Sequence, residues 1–373
     1  MKKVKILFFI YQMGGGGAAR TLLNIINNLD RSKFEPYLVT LNFDGSYEKE
    51  LKDDVKFIKL DTKRLSRSIL RLAKIIKEEG IDVAFSTIPR VNTIAIIASK
   101  LSFSKVKSVI READNLGGSL RENMQLLGFG MVYKTSDQIV SLSEGVKANL
   151  VNRYKVKPER IEVIYNPVDL NSINDKVEHG KIDPEHEALF LTDDKVIITA
   201  GRLVEQKDQR TLVKAFAKVN NEISSRLVIL GEGPLKEELM ELARELSVLD
   251  RVHFIGFQSN PYSYFTKADL FVLSSKHEGF SHVIAEALAT GTPVVSTNCK
   301  SGPEEVLNFG EFGALCDVGN DEQMAGEMLK VLSVSEQERL QIIEKGYARA
   351  RDFDAKQIVK QYEQLFLSTL SKQ

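Results

Sequence analysis

Residues 270–297 read LFVLSSKHEGFSHVIAEALATGTPVVST, and no other stretch limits the possible folds as sharply. The apolar run at 270–273 is too short for a helix, whereas 282–289 has helical spacing and stops at Thr290-Gly291-Thr292-Pro293. A second apolar run, 294–296, follows. Strand, glycine turn, helix and strand in that order make one right-handed parallel crossover. Open parallel sheets bind ligands at the carboxyl ends of their strands. A helix starting there points free N–H groups and partial positive charge at an anion. Glu278 in the turn and Glu286 two helical turns further on can then face one ligand with phosphate between them. The plainer reading of either residue alone is a capped helix with a solvated glutamate.

The same alternation fills the chain. Strand patterns at 4–11, 37–41, 57–60, 83–86, 108–111 and 138–141 are separated by helical ones, including 18–29. Asn166-Pro167 interrupts an apolar run at 163–169, and 170–194 is polar and acidic without sustained periodicity. Strands at 196–200, 226–230 and 252–255 then alternate with helices at 211–219 and 235–246. This is an α/β chain of two doubly wound parallel sheets, as 373 residues allow. The expected domains are 1–167 and 168–351, with a terminal helix in 352–373 whose apolar face needs a partner on either of them.

Net charge is zero overall, but residues 1–168 hold 28 Lys and Arg against 18 Asp and Glu, and the remainder 23 against 33. The basic half lacks an interleaved aromatic platform, so nucleic acid is not the expected partner. Two cysteines without metal-ligand spacing fit a reducing compartment. The opening MKKVKILFFIYQM resembles a leader, but its apolar run is short and passes through glycines into a helix that needs it as a strand. A cytoplasmic protein is expected.

Three further loops at strand ends in the second half carry chemistry. Arg202 and Lys207 follow the strand at 196–200 and offer a rigid donor fork and a mobile point charge, suited to two linked phosphates. Gly231-Glu232-Gly233-Pro234 and Gly256-Phe257 follow the next two strands. With the Glu278 turn, four consecutive loops on one rim describe a phosphate-and-nucleoside pocket.

GRLVEQKD, ILGEGP, IGF and EGFSHVIAEALATGTPVV, in this order and spacing, resemble the donor-binding half of family-4 retaining glycosyltransferases with the GT-B fold. The likeness extends over essentially the whole chain, through the N-terminal glycine loop, VIYNPVD and SGPEEVL. It implies two Rossmann-like domains facing across a cleft. Arg202 and Lys207 would hold the donor diphosphate, and Glu278 the sugar hydroxyls. Backbone N–H groups at Gly279, Phe280 and Ser281 would face sugar and phosphate, and Glu286 the ribose diol. The base would rest near Gly256 and Phe257. Family members generally work without a divalent metal, and no DxD pair stands at a strand end here, so neither metal nor cofactor is expected.

In the first half, Gly14, Gly15, Gly16 and Gly17 let backbone approach the reaction centre and the donor. Gly14-x-Gly16-x-x-Ala19 also matches a dinucleotide fingerprint, with Asp44 near the expected ribose-binding acid, but no dehydrogenase constellation accompanies it. Arg111, Glu112 and Asn115 end a strand and are the candidate acceptor contacts, against the reading of Arg111–Glu112 as a structural ion pair. Many family members carry a histidine near this position, whereas all five histidines here lie at or after His179. The basic helix over 63–79, with Lys100, Lys105 and Lys107, offers a face to an anionic membrane surface, beside the plain reading of a charged solvent face. The resemblance thus implies a UDP-type nucleotide-sugar donor and a glycan or polyprenyl-diphosphate-linked acceptor, met at the inner face of the plasma membrane. An epimerase of the same fold and a non-catalytic nucleotide-sugar-binding subunit are the alternatives.

Overall fold

A computed structural model describes residues 2–14, 16–113 and 115–371. It divides into two compact units, Met1–Pro167 with Asp354–Gln373, and Val168–Phe353.

The first unit runs β1 (Val4–Phe9), α1 (Gly17–Asn28), β2 (Phe34–Thr40), β3 (Lys56–Lys59), α2 (Ile69–Glu78), β4 (Val83–Thr87), α3 (Pro89–Leu101), β5 (Lys107–Glu112), α4 (Leu120–Tyr133), β6 (Gln138–Ser141), α5 (Glu144–Asn152) and β7 (Ile161–Val163). Its sheet is parallel throughout, in the order β3-β2-β1-β4-β5-β6-β7. Both faces are covered, so its central strands are apolar on both sides rather than alternating. Ile6 and Phe8 of β1 pack with α1, while Leu7 and Phe9 pack with α2 and α3. Continuing that second layer, Ile96 of α3 joins Leu126 and Tyr133 of α4 over β5 and β6. Helices α2, α3 and α4 therefore line one face of the sheet.

The second unit contains α6 (Leu170–Glu178), β8 (Lys195–Ala200), α7 (Gln209–Glu222), β9 (Ser225–Leu230), α8 (Lys236–Glu245), β10 (Val252–Gly256), α9 (Tyr262–Phe265), β11 (Leu270–Leu273), α10 (His282–Ala289), β12 (Val294–Thr297), α11 (Pro303–Val306), β13 (Ala314–Cys316), α12 (Asp321–Leu332) and α13 (Glu336–Arg351). Its parallel sheet has the order β10-β9-β8-β11-β12-β13. Finally α14 (Ala355–Ser371) returns to the first unit, where Ile358, Tyr362 and Phe366 are buried against β1 and β4.

Each sheet has one switch point, where chain connections leave in opposite directions: β1/β4 in the first unit and β8/β11 in the second. Ligands of open α/β sheets gather outside the carboxyl ends of strands at such a point. Among the described residues no helix is long and apolar enough to cross a membrane.

Candidate active site

At the β8/β11 switch point the loop after β8 is tied to the loop after β11. Lys207 Nζ donates to Glu278 Oε1 at 2.6 Å, and Ser275 Oγ donates to the same oxygen at 2.6 Å. Three more bonds sew the loops together. Ser274 Oγ donates to the Lys207 carbonyl, Gln206 Nε2 to the His277 carbonyl, and the Lys276 N–H to the Gln206 carbonyl. Glu278 is only 7% exposed, so its charge stands in low dielectric and needs the lysine. Cys299, just past β12, lies close enough to feel this pair. Burial and then the Glu278 carboxylate push its thiol up to about 12, which leaves it a neutral thiol at physiological pH.

Arg202 lies on the same rim in the opposite condition. Its side chain is exposed, and among the described residues its guanidinium makes no hydrogen bond or ion pair. Lys207 and Glu278 are thus brought together, while Arg202 is left available to an external anion.

The start of α10 is unusual. Ser281 precedes the helix at φ 66°, a left-handed conformation that costs a non-glycine residue about 1–2 kcal/mol. Its hydroxyl is buried and has no hydrogen-bond partner among the described residues. Phe280 turns inward against the Phe353 ring, at 5.1 Å between centroids, so only its backbone belongs to the rim. Gly302 seals the other side: at φ 89°, a Cβ there would stand 2.9 Å from the Phe280 carbonyl carbon. Gly279 is half-buried in the turn itself. About one turn along α10, Glu286 is buried and accepts from Tyr262 Oη at 3.1 Å.

The neighbouring loops close on one another through backbone. A Cβ on Gly231 would come within 2.0 Å of the Gly201 carbonyl oxygen, so the β9 loop can touch the β8 loop there only as glycine. Beside them Gly256 has φ 73°, and the Phe257 ring is 66% exposed.

In the first unit, Gly14 and Gly16 lie between β1 and α1, where the Gly16 N–H donates to the Gly14 carbonyl at 2.8 Å, and Gly17 opens α1; Gly15 is outside the described residues. Next to them at the β1/β4 switch point stands Ile88, at φ 81° before Pro89. A β-branched residue at positive φ is a strained conformation of the sort found at functional sites.

Of the three expected acceptor contacts, Arg111 and Glu112 have buried side chains. Arg111 is fully buried, donating through Nη1 to Thr87 Oγ1 at 3.0 Å and through Nη2 to Asn166 Oδ1. Glu112 is 1% exposed and accepts from Tyr133 Oη at 2.8 Å and Tyr154 Oη at 3.4 Å. Burial and this carboxylate raise the Tyr133 phenol well above its ordinary range. Strand β5 is an inner strand covered on both faces, so its last two side chains enter the protein and support the rim. Asn115 is half-buried and accepts from Asn149 Nδ2.

Sequence reasoning missed Ser275, Tyr262 and Cys299. Each lies in an apolar or turn segment whose spacing carries no sign of a charge partner. Among the described residues, Asp183, Glu185 and His186 are near enough to share a cation, with ligand atoms within 4.8 Å of one another. They precede β8 in the chain, and His186 Nδ1 is already paired with Tyr264 Oη at 3.0 Å.

The family model described as glycosyl transferases group 1 matches residues 182–349, and that of glycosyltransferase family 4 matches residues 15–172. A Campylobacter jejuni enzyme, N-acetylgalactosamine-N,N'-diacetylbacillosaminyl-diphospho-undecaprenol 4-alpha-N-acetylgalactosaminyltransferase, is 33% identical over 95% of this chain and 97% of its own length. Among solved structures, a Rickettsia africae glycosyltransferase superposes with TM-score 0.84 at 18% identity, covering all of both chains. Anabaena HepE in complex with UDP gives 0.82 at 21% identity, covering 98% of this chain and all of the other. These two share the GT-B fold with it. By its sequence the chain belongs to glycosyltransferase family 4.

Proposed function

We propose that the protein is a retaining glycosyltransferase. It moves a hexose or N-acetylhexosamine from a nucleotide diphosphate sugar, UDP-linked, to a lipid-linked oligosaccharide or polysaccharide. The observation that carries the reading is the β8/β11 rim. Among the described residues, an Arg202 guanidinium without a partner, a Lys207–Glu278 pair and a Ser281 hydroxyl without a partner stand around the start of α10. That combination suits a diphosphate joined to a sugar. Arg202 and Lys207 take the phosphate oxygens, Ser281 and the N–H groups of 279–281 complete the anion's bonds, and Glu278 turns to sugar hydroxyls. Glu286 accepts from the ribose diol, and the exposed Phe257 ring lies where a base can rest.

In the reaction the bond from the anomeric carbon to the β-phosphate oxygen breaks and its electron pair leaves with the phosphate. Fixed cations stabilise that growing negative charge while positive character builds on the sugar. The acceptor hydroxyl attacks from the face the phosphate is leaving, and its proton passes to the departing oxygen, so configuration is kept. Two cations meet the charge requirement without a divalent metal. The reading of a lipid-linked acceptor is supported by the C. jejuni relative, whose name specifies a diphospho-undecaprenol substrate and an alpha linkage. Such an acceptor places the enzyme at the inner face of the plasma membrane, with the exposed cations of 64–77 toward anionic lipid.

The test is thermal denaturation against a panel of nucleoside diphosphates and their sugars, followed by product analysis with an undecaprenyl-diphosphate-linked saccharide. The expected outcome is stabilisation by UDP and one UDP-sugar, with UDP released and an alpha-linked product formed. An epimerised nucleotide sugar, or no transfer despite donor binding, would overturn the reading.

A further inference from the structure

Glu286 can serve a ribose diol only if its carboxylate is held in one plane. The vicinal hydroxyls offer two donors a fixed distance apart, and a carboxylate accepts both when its lone pairs face them squarely. A glutamate carries its carboxylate on rotatable bonds, and the α10 backbone alone does not fix them. A contact from outside α10 must choose the rotamer.

Tyr262 is placed to do so. Its hydroxyl donates to Glu286 Oε1 at 3.1 Å, and the two residues are 3% and 7% exposed. A hydrogen bond to a carboxylate is strong, and low dielectric strengthens it further. The phenol is itself rigid, because it turns about few bonds and stands edge to face with Phe265 at 6.3 Å between centroids. Its backbone is pinned on both sides of α9. Asn260 Nδ2 and Ser263 Oγ donate to the Lys176 carbonyl of α6 at 2.7 and 3.2 Å. Thr292 Oγ1, in the turn after α10, donates to the Phe265 carbonyl at 2.8 Å. Helix α6 and that turn thus clamp α9, and α9 aims one O–H at the carboxylate.

We infer that Tyr262 is a positioning residue of the nucleotide site. By holding Oε1 it sets the carboxylate plane of Glu286 toward the ribose 2′- and 3′-hydroxyls, so the preference for a ribonucleotide depends on it. The inference rests on the reading of Glu286 as the ribose contact. The plain alternative is that Tyr262 only satisfies a buried carboxylate, which would serve stability and leave ligand selectivity untouched. The ribose is remote from the bond that breaks, so its contact is made alike in ground and transition states.

The experiment is calorimetric titration of the parent protein and Y262F with UDP and with 2′,3′-dideoxy-UDP, which keeps base and diphosphate but lacks both hydroxyls. Y262F should bind UDP about tenfold more weakly than the parent and dideoxy-UDP equally well. In transfer, its KM for the nucleotide sugar should rise about tenfold with kcat unchanged. Should Y262F fold poorly, N260A serves in its place. It loosens α9 and keeps the phenol, and should lose selectivity in the same direction by about threefold. Equal weakening toward both nucleotides, or UDP binding that is unchanged or tighter, overturns the inference alone. A parent protein that does not distinguish UDP from dideoxy-UDP removes the ribose contact at Glu286, and the inference with it.

Discussion

The two switch points make an instructive pair. Both lie at the carboxyl ends of parallel strands in sheets of the same architecture, β1/β4 in one unit and β8/β11 in the other. At β8/β11, charge stands at the rim: Lys207 bonded to Glu278, and Arg202 exposed. Beside β1/β4, charge is drawn inside: Arg111 bonds Thr87 and Asn166, and Glu112 bonds Tyr133. Among the described residues, that rim carries glycine backbone and the strained Ile88. The exposed Arg202 is available to a polyanion, whereas the fully buried Arg111 and Glu112 are committed to holding the interior. The scaffold is common, so the division of labour must come from where each loop sends its charges.

That contrast is tested most severely at the Lys207–Glu278 pair. K207M should lower kcat/KM for transfer by about 10²–10³-fold, the usual effect of removing one preorganised charge from a site of charge development. It should also lower the melting temperature, because Glu278 is then left buried without its cation. Adding E278Q should restore the melting temperature but not the activity, since neutrality returns and the phosphate contact does not. Recovery of transfer in the double variant would show that the pair acts only as a structural tie. R202A comes next, with a loss of about 10²-fold in kcat/KM. Its melting temperature should stay put, because the side chain is exposed and holds nothing. A destabilised R202A protein would contradict its description as an available cation.

On the other side, R111M should leave UDP affinity untouched while costing about 1–3 kcal/mol of stability, the penalty for stranding buried partners such as Thr87 and Asn166. Calorimetric unfolding with and without UDP separates the two effects. A variant of full stability that no longer used the acceptor would return Arg111 to the rim and erase the contrast between the units.

The residues on the charged side were more legible in sequence than those on the buried side, and the reason is physical. Strands buried on both faces leave continuous apolar runs, so β6, β11 and helix α10 begin and end where their runs do. A rim loop must announce itself through glycines and charges at strand ends, and Arg202, Lys207 and Glu278 do. The direction of a side chain at the end of an inner strand leaves no such trace. Arg111 and Glu112 carry the same letters whether they face a ligand or the interior. The three-residue strands β7 and β13 are too short for any period to register. The exposure of Leu120, Met124 and Met131 on α4 was hidden for a different reason, because apolar residues at helical spacing ordinarily mean core.

The smallest expected effect lies at the opposite end of the second sheet and tests whether charge does different work there. Asp194, just before β8, accepts from Ser224 Oγ at 2.6 Å, Arg226 Nε at 2.9 Å and Arg251 Nη1 at 2.8 Å. It clamps the amino ends of β8, β9 and β10, away from the strand ends that bear Lys207 and Arg202. The Ser224 hydrogen bond and then the Arg226 bond hold its carboxyl well below the usual range. A carboxyl whose pKa is depressed by folding stabilises the fold at every pH where both states are ionised, because its charge is better accommodated in the native protein. The contribution is therefore complete above the ordinary carboxylate range and is lost as pH falls through it toward the folded value. D194N should melt slightly below the parent at neutral pH, the gap closing in acid, with kcat/KM for transfer unchanged throughout. A gap that persists at low pH would mean that packing rather than charge is at stake, and a fall in transfer would mean that this end of the sheet is coupled to the rim.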